Sequence, residues 1–338
     1  MTSLAHQAAA RGRWGLSGLV WALLSAALLA PEACAAAGSA GSAPGEQGTL
    51  RVFVSILPQK HFAERVGGDR VAVEVLVGPG RSPATYEPTP RQMTRLAAAD
   101  LLVTSGVPFE AVWLPRLARA HPDLAIVDGA AGIARLPMNG HRHGDAEEPH
   151  AGGHEQHPTT NAGPGQDHAG HEPTSGGLAD PHVWTSPANA SAMAQRIAGA
   201  LAAVDPAGAR QYADGAAAFA AEMTALDIEL GERLAGLAGR RFLVFHPSWG
   251  YFARAYGLEQ VAIEADGKEP GARALAALIA SARAEGVRAV FVQAQFSRAL
   301  ADRVAAEIGA EVVVADPLAE DYAANLRRVA SALEEALR

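Results

Sequence analysis

Three short segments combine metal-competent side chains with the proline-containing turns that close an ordered element: Asp180-Pro-His-Val-Trp-Thr-Ser-Pro187, Phe245-His-Pro-Ser-Trp-Gly-Tyr251 and Ala315-Asp-Pro-Leu-Ala-Glu-Asp-Tyr322. The second and third follow apolar runs that read as buried strands. In doubly wound sheets, ligands gather outside the carboxyl ends of the strands. Taken singly, His182, His246 and Asp316 read as turn or core residues, because buried imidazoles mostly serve as hydrogen-bonding groups and Asp before Pro is a common turn residue. Taken together they form a His/His/carboxylate set. The only cysteine is Cys34, which falls in the expected signal segment, so the mature chain is expected to have neither a disulfide framework nor a thiolate metal site. The remaining donors suit zinc or manganese.

The elements that must position these residues alternate. A strand over 50–57, bounded by Pro58, precedes a helix over 59–66. A strand over 71–77, a turn-rich loop and a helix over 90–99 follow, then strands over 100–104 and 124–127 with a helix over 110–120 between them. A helix over 187–203 leads into a helical stretch over 206–237, where Phe219, Met223, Leu226, Leu230 and Leu234 recur at steps of three and four. A second block has strands over 241–245, 289–293 and 311–315, with helices over 249–256, 271–285, 298–308 and 322–337. The expected fold class is α/β: two doubly wound lobes joined by a long rigid helix, with the metal in the cleft between them. The lobes span 50–205 and 238–338, and the linking helix 206–237.

Two segments fall outside this scheme. Arg11 and Arg13 precede the apolar run Trp14 to Ala30, and small residues follow. That order is a secretory signal over 1–37, and the run is shorter than the roughly 20 residues a spanning helix needs. Lipid anchoring at Cys34 is not expected, since Pro31-Glu-Ala33 lacks the usual apolar and small residues. Residues 38–49 read as a disordered lead. Residues 138–177 are rich in Gly, Pro and His, without apolar periodicity, and read as a mobile surface loop. Its His141, His143, His150, His154, His157, His168 and His171 form an auxiliary set able to capture zinc weakly. The charge balance of 28 Lys and Arg against 36 Asp and Glu gives −8, with no basic cluster, so nucleic acid is not an expected partner.

The order Ser55-Ile-Leu-Pro-Gln-Lys60, Ser82-Pro-Ala-Thr-Tyr-Glu-Pro-Thr-Pro90, Asp180-Pro-His-Val-Trp184, Phe245-His-Pro-Ser-Trp-Gly-Tyr-Phe252 and Asp316-Pro-Leu-Ala-Glu-Asp-Tyr322 resembles the zinc- and manganese-binding solute receptors of ABC importers, most closely the periplasmic high-affinity zinc-uptake branch. The resemblance covers the chain from about Leu50 onward. It implies an ion in the interdomain cleft held by His182, His246 and Asp316, an ABC permease as partner, and no enzymatic activity. Many relatives carry a ligand histidine where this chain has Ala84, so the fourth zinc position is open to water or another side chain, His61 being the candidate. Trp184 and Trp249 are expected beside the ligand histidines, and Glu87, Glu264 and Glu269 are possible acceptors for their second ring nitrogens. The expected function is periplasmic capture of Zn²⁺ by a monomeric receptor. The alternatives are a manganese receptor or adhesin of the same fold, with Mn²⁺ as the bound ion, and a zinc-dependent hydrolase, for which no H-E-x-x-H motif is present.

Overall fold

The computed structural model describes residues 48–138, 179–264 and 268–337. The signal segment, Cys34 and the histidines from His141 to His171 lie outside the described residues. In the first lobe, β1 (Leu50–Ile56) runs into α1 (Leu57–Gly67), followed by β2 (Val71–Val77), α2 (Pro90–Leu96), β3 (Leu101–Thr104), α3 (Pro108–Ala120) and β4 (Ala125–Asp128). The strands form one parallel sheet in the order β2-β1-β3-β4. Val52, Val54 and Leu101 to Val103 are wholly buried, as strands covered on both faces must be.

Helices α4 (Pro187–Val204) and α5 (Ala209–Leu234) lead to the second lobe. There β5 (Arg241–Val244), α6 (Gly250–Ala255), β6 (Glu259–Ala262), α7 (Ala272–Ala284), β7 (Ala289–Val292), α8 (Arg298–Ile308), β8 (Glu311–Val314) and α9 (Tyr322–Leu337) build a second parallel sheet, β6-β5-β7-β8. Both sheets thus share one winding pattern. In each, the strand order reverses at the first strand of the lobe, and the crevice opens at the carboxyl ends on either side of it. Strand β6 departs from the sequence reading, which passed from one helix to the next across 257–270. Its first two residues, Glu259 and Gln260, are polar, and as an edge strand it buries fully only Val261 and Ala262. Four residues with so little apolar pattern give no period to read.

Helix α5 has 26 residues and is about 39 Å long at 1.5 Å per residue. Its buried stripe of Tyr212, Ala216, Phe219, Met223, Leu226, Leu230 and Leu234 packs on α1 and α4 of the first lobe and α9 of the second. Ion pairs Arg327–Glu229 and Arg233–Glu334 bind α9 to its outer side, and the Tyr256 hydroxyl donates to Asp227 at 2.8 Å. One apolar cluster runs from Val52 and Phe62 through Phe219 to Phe242, Phe252 and Leu333. The lobes therefore share a core, and a second cluster around Val290 and Leu300 belongs to the second lobe alone. Among the described residues no helix is long and apolar enough to cross a membrane.

Phe219 is fully buried, with the Phe62 ring 5.2 Å from its own. Phe219→Ala should destabilise the protein by about 3–5 kcal/mol, the usual cost of a large aromatic cavity. Urea unfolding followed by circular dichroism measures it; a loss under about 1 kcal/mol would mean that α5 is not central to the core.

Candidate metal site

Asp180 sets up the first half of the site. Its amide donates to the Leu136 carbonyl at 2.8 Å, beside the bridge between Pro137 and Ala179. The buried carboxylate folds forward, so that Oδ1 accepts from the backbone N–H of His182 at 2.9 Å and lies 2.7 Å from Nδ1 of the same residue. Asp is suited to this turn because its short side chain reaches the amide two residues on. Trp184, fully buried, presents its ring 5.2 Å from His182 and donates Nε1–H to the Pro317 carbonyl of the second lobe at 2.7 Å. The Tyr251 hydroxyl, also from the second lobe, donates to the Asp180 carbonyl and accepts from the Leu136 amide, each at 2.9 Å. The segment carrying His182 is thus fastened across the lobe boundary.

His246 stands two residues beyond β5, and Glu264 two residues beyond β6. The neighbouring parallel strands place them side by side, with the Glu264 amide donating to the Phe245 carbonyl at 3.1 Å. Nδ1 of His246 meets Oε1 of Glu264 at 2.5 Å, and Glu264 is buried. Gln293, just after β7, donates from Nε2 to the His246 carbonyl at 2.8 Å and to Ser248 Oγ at 2.6 Å. The Phe296 ring stacks on the His246 imidazole, 5.3 Å away at an interplanar angle of 25°.

The two imidazoles come together from different lobes, with centroids 5.2 Å apart and planes at 76°. Each has a buried carboxylate at Nδ1. An imidazole whose Nδ1–H donates to a carboxylate keeps its lone pair at Nε2, which is how metal-binding histidines are held. Burial holds the His182 pKa below the usual imidazole range, against the opposing pull of Asp180. The ring is therefore neutral at pH 7 and able to coordinate.

Asp316 follows β8 on the same strand-end rim. Its Oδ1 accepts from the Leu318 amide at 2.9 Å and from Gln295 Nε2 at 3.0 Å. The Trp184–Pro317 bond holds its segment against that of His182. Among the described residues, however, no three or more His, Cys, Asp or Glu side chains are grouped around one point as ligands. The pair of imidazoles is assembled, and Asp316 is connected to it only indirectly, through the Trp184–Pro317 bond and the loop that carries Gln295 and Phe296. His61 lies elsewhere, on α1, its ring 6.1 Å from Phe219 and 6.5 Å from Tyr322, and burial lowers its pKa. Ala84 and Glu87 are exposed on the β2–α2 loop, and Glu269 is exposed between β6 and α7. Of the three glutamates considered as acceptors, only Glu264 reaches a site histidine. Asp180, Gln293, Gln295 and Phe296 were not singled out in the sequence. A polar Gln-Ala-Gln run at the end of a buried strand was the available signal for the last three.

The sequence profile of the family described as "ZnuA: Zinc-uptake complex component A periplasmic" matches residues 52–336. The chain belongs to the ZnuA family. It is 33% identical over 326 residues to the high-affinity zinc uptake system protein ZnuA of Paracoccus denitrificans, covering 92% of this chain and 99% of that protein. It is 27% identical over 275 residues to the zinc-binding lipoprotein AdcA of Streptococcus pneumoniae, covering 80% of this chain but only 50% of that protein. Crystal structures of ZnuA and of a zinc-bound ZnuA deletion mutant each superpose with a TM-score of 0.72 at 39% identity, covering 86% of this chain and 100% and 98% of those chains. The two parallel-sheet lobes are thus those of the ZnuA family.

Glu264→Gln tests the carboxylate behind His246. Without the charge, the Nδ1–H is held less firmly and the ring is a weaker donor, so zinc affinity should fall about 10–100-fold. Competition against a chromophoric chelator reads this directly. Unchanged affinity would show that Glu264 does not support a metal-binding imidazole.

Proposed function

We propose that this chain is the receptor of a zinc importer: it captures Zn²⁺ in the periplasm and delivers it to an ABC permease. The observation that carries this reading is the pair of imidazoles from two lobes, each with a buried carboxylate on Nδ1 and a lone pair left at Nε2. Zinc is favoured over harder ions by two imidazole nitrogens, which suit it better than they suit manganese or magnesium. Asp316 is the third ligand in this reading, using the oxygen opposite its two hydrogen bonds. The fourth tetrahedral place goes to water, since Ala84 has no donor and His61 sits in an aromatic packing site. An ion held by three protein ligands and an exchangeable water can be released to a partner, as a receptor requires. Family membership in an uptake-complex component and the zinc named for its relatives support the same conclusion.

Residues 1–37 serve in this reading as the export signal. The histidines between His141 and His171 collect zinc without forming the tight site. A chain of this kind acts as a monomer, contacts no nucleic acid and catalyses no reaction.

His246→Ala tests the site. Well-formed zinc sites supply about 10–16 kcal/mol, so losing one of three protein ligands should cost roughly 3–5 kcal/mol, a fall in affinity of more than about a hundredfold. Isothermal titration of the metal-free variant measures it, and an unaltered affinity would refute the assignment. Deleting residues 141–171 should lower stoichiometry to one zinc per chain, about the ratio a single preorganised site gives, while leaving the tight affinity intact. Loss of the tight site in that deletion would make a loop histidine the missing ligand.

A further inference from the structure

The loop after β7 touches both positions through which the second lobe would hold the ion. Gln293 donates to the His246 carbonyl, Phe296 stacks on the His246 ring, and Gln295 donates to Asp316. The last contact restricts how Asp316 can bind. A carboxylate offers about four lone-pair sites, two on each oxygen. On Asp316, Oδ1 already accepts two hydrogen bonds, from Leu318 N at 2.9 Å and Gln295 Nε2 at 3.0 Å. The backbone of Asp316 is fixed as well, its carbonyl accepting from Asn325 Nδ2 at 2.7 Å. The carboxylate can neither rotate freely nor turn Oδ1 to a cation without breaking a bond. Only Oδ2 remains to coordinate.

We propose that Gln295 is a specificity-determining positioning residue: it holds Asp316 to binding through a single oxygen, and so favours four-coordinate zinc over manganese. Zinc is satisfied by two imidazole nitrogens, one carboxylate oxygen and a water. Manganese takes more ligands, chiefly oxygens in octahedral array, and would gain from a carboxylate that chelates through both atoms. The amide of Gln295 denies it the second oxygen. Being neutral, it does so without cancelling the charge that attracts the cation, as a lysine or arginine at this position would. The Phe296 stack seats the same loop on His246, so the restraint on Asp316 is fixed to the other second-lobe position.

This inference rests on the reading of Asp316 as a ligand, and the two can fail separately. Asp316→Asn tests that reading: weakened zinc binding supports it, and unchanged binding overturns it. Gln295→Met tests the restraint, keeping side-chain length while removing the donor. Zinc and manganese, each added alone to the metal-free protein, give two dissociation constants for the wild type and the variant. In Gln295→Met the ratio of manganese to zinc dissociation constants should fall by about tenfold or more, in the range typical of lost partners behind metal ligands. Zinc-edge X-ray absorption should show one carboxylate bound through a single oxygen in the wild type. The melting temperature of the metal-free variant separates this effect from misfolding, and Gln295→Ala provides a second removal of the donor with less bulk to accommodate. An unchanged ratio in both folded variants would overturn the proposal, as would a chelating carboxylate in the wild type.

Discussion

The candidate metal site depends on two contacts, one between each site imidazole and a buried carboxylate. Asp180 and Glu264 lie against Nδ1 of His182 and His246 and set the direction of both rings. The cost of gathering two imidazoles from opposite lobes is met during folding, so under the proposed function an entering cation would find its donors in place. Buried carboxylates are tolerated there because each has a hydrogen-bond donor in contact, and an unpaired one would be expensive. The same carboxylates add negative potential behind the rings, which strengthens a neutral nitrogen as a donor toward a dication.

That preorganisation depends in turn on the lobes being held in fixed relation. The apolar cluster crossing from Phe62 through Phe219 to Phe252 joins them. At the cleft itself the directional contacts are Trp184 to Pro317, Tyr322 to the Trp184 carbonyl at 2.7 Å, and Tyr251 to both Asp180 and Leu136. These bonds attach the His182 segment to the second lobe directly, without routing through α5. An aromatic side chain serves well here because it fills the lobe interface and carries one polar atom across it.

Much of this was legible in the sequence. The alternating apolar runs gave both α/β lobes, and the three- and four-step stripe on α5 gave the connector. His182 and His246 stand out at element ends in a chain with a single cysteine, and the structure brings their imidazoles together with Glu264, one of the acceptors considered, at Nδ1 of His246. Other parts were hidden for identifiable reasons. Strand β6 is short and half polar, and it acquires strand character only by pairing with β5. The roles of Gln293, Gln295 and Phe296 depend on a loop folding over two distant segments, His246 lying 47 residues before Gln293 and Asp316 21 residues after Gln295, and no local pattern reports that. His61 is a ligand candidate in the sequence only by its residue type and its place on the helix after the first strand. Its aromatic surroundings, Phe219 from α5 and Tyr322 from α9, come from distant parts of the chain.

The central claim is that the Nε2 atoms of His182 and His246 jointly bind zinc. A crystal structure of the protein loaded with one equivalent of zinc, with anomalous data collected on either side of the zinc edge, tests it most directly. One anomalous peak about 2.0–2.1 Å from both Nε2 atoms, with Nδ1 of each ring still on Asp180 and Glu264, is the result required. A peak away from the two rings, or coordination through Nδ1 with the carboxylate bonds broken, would contradict it.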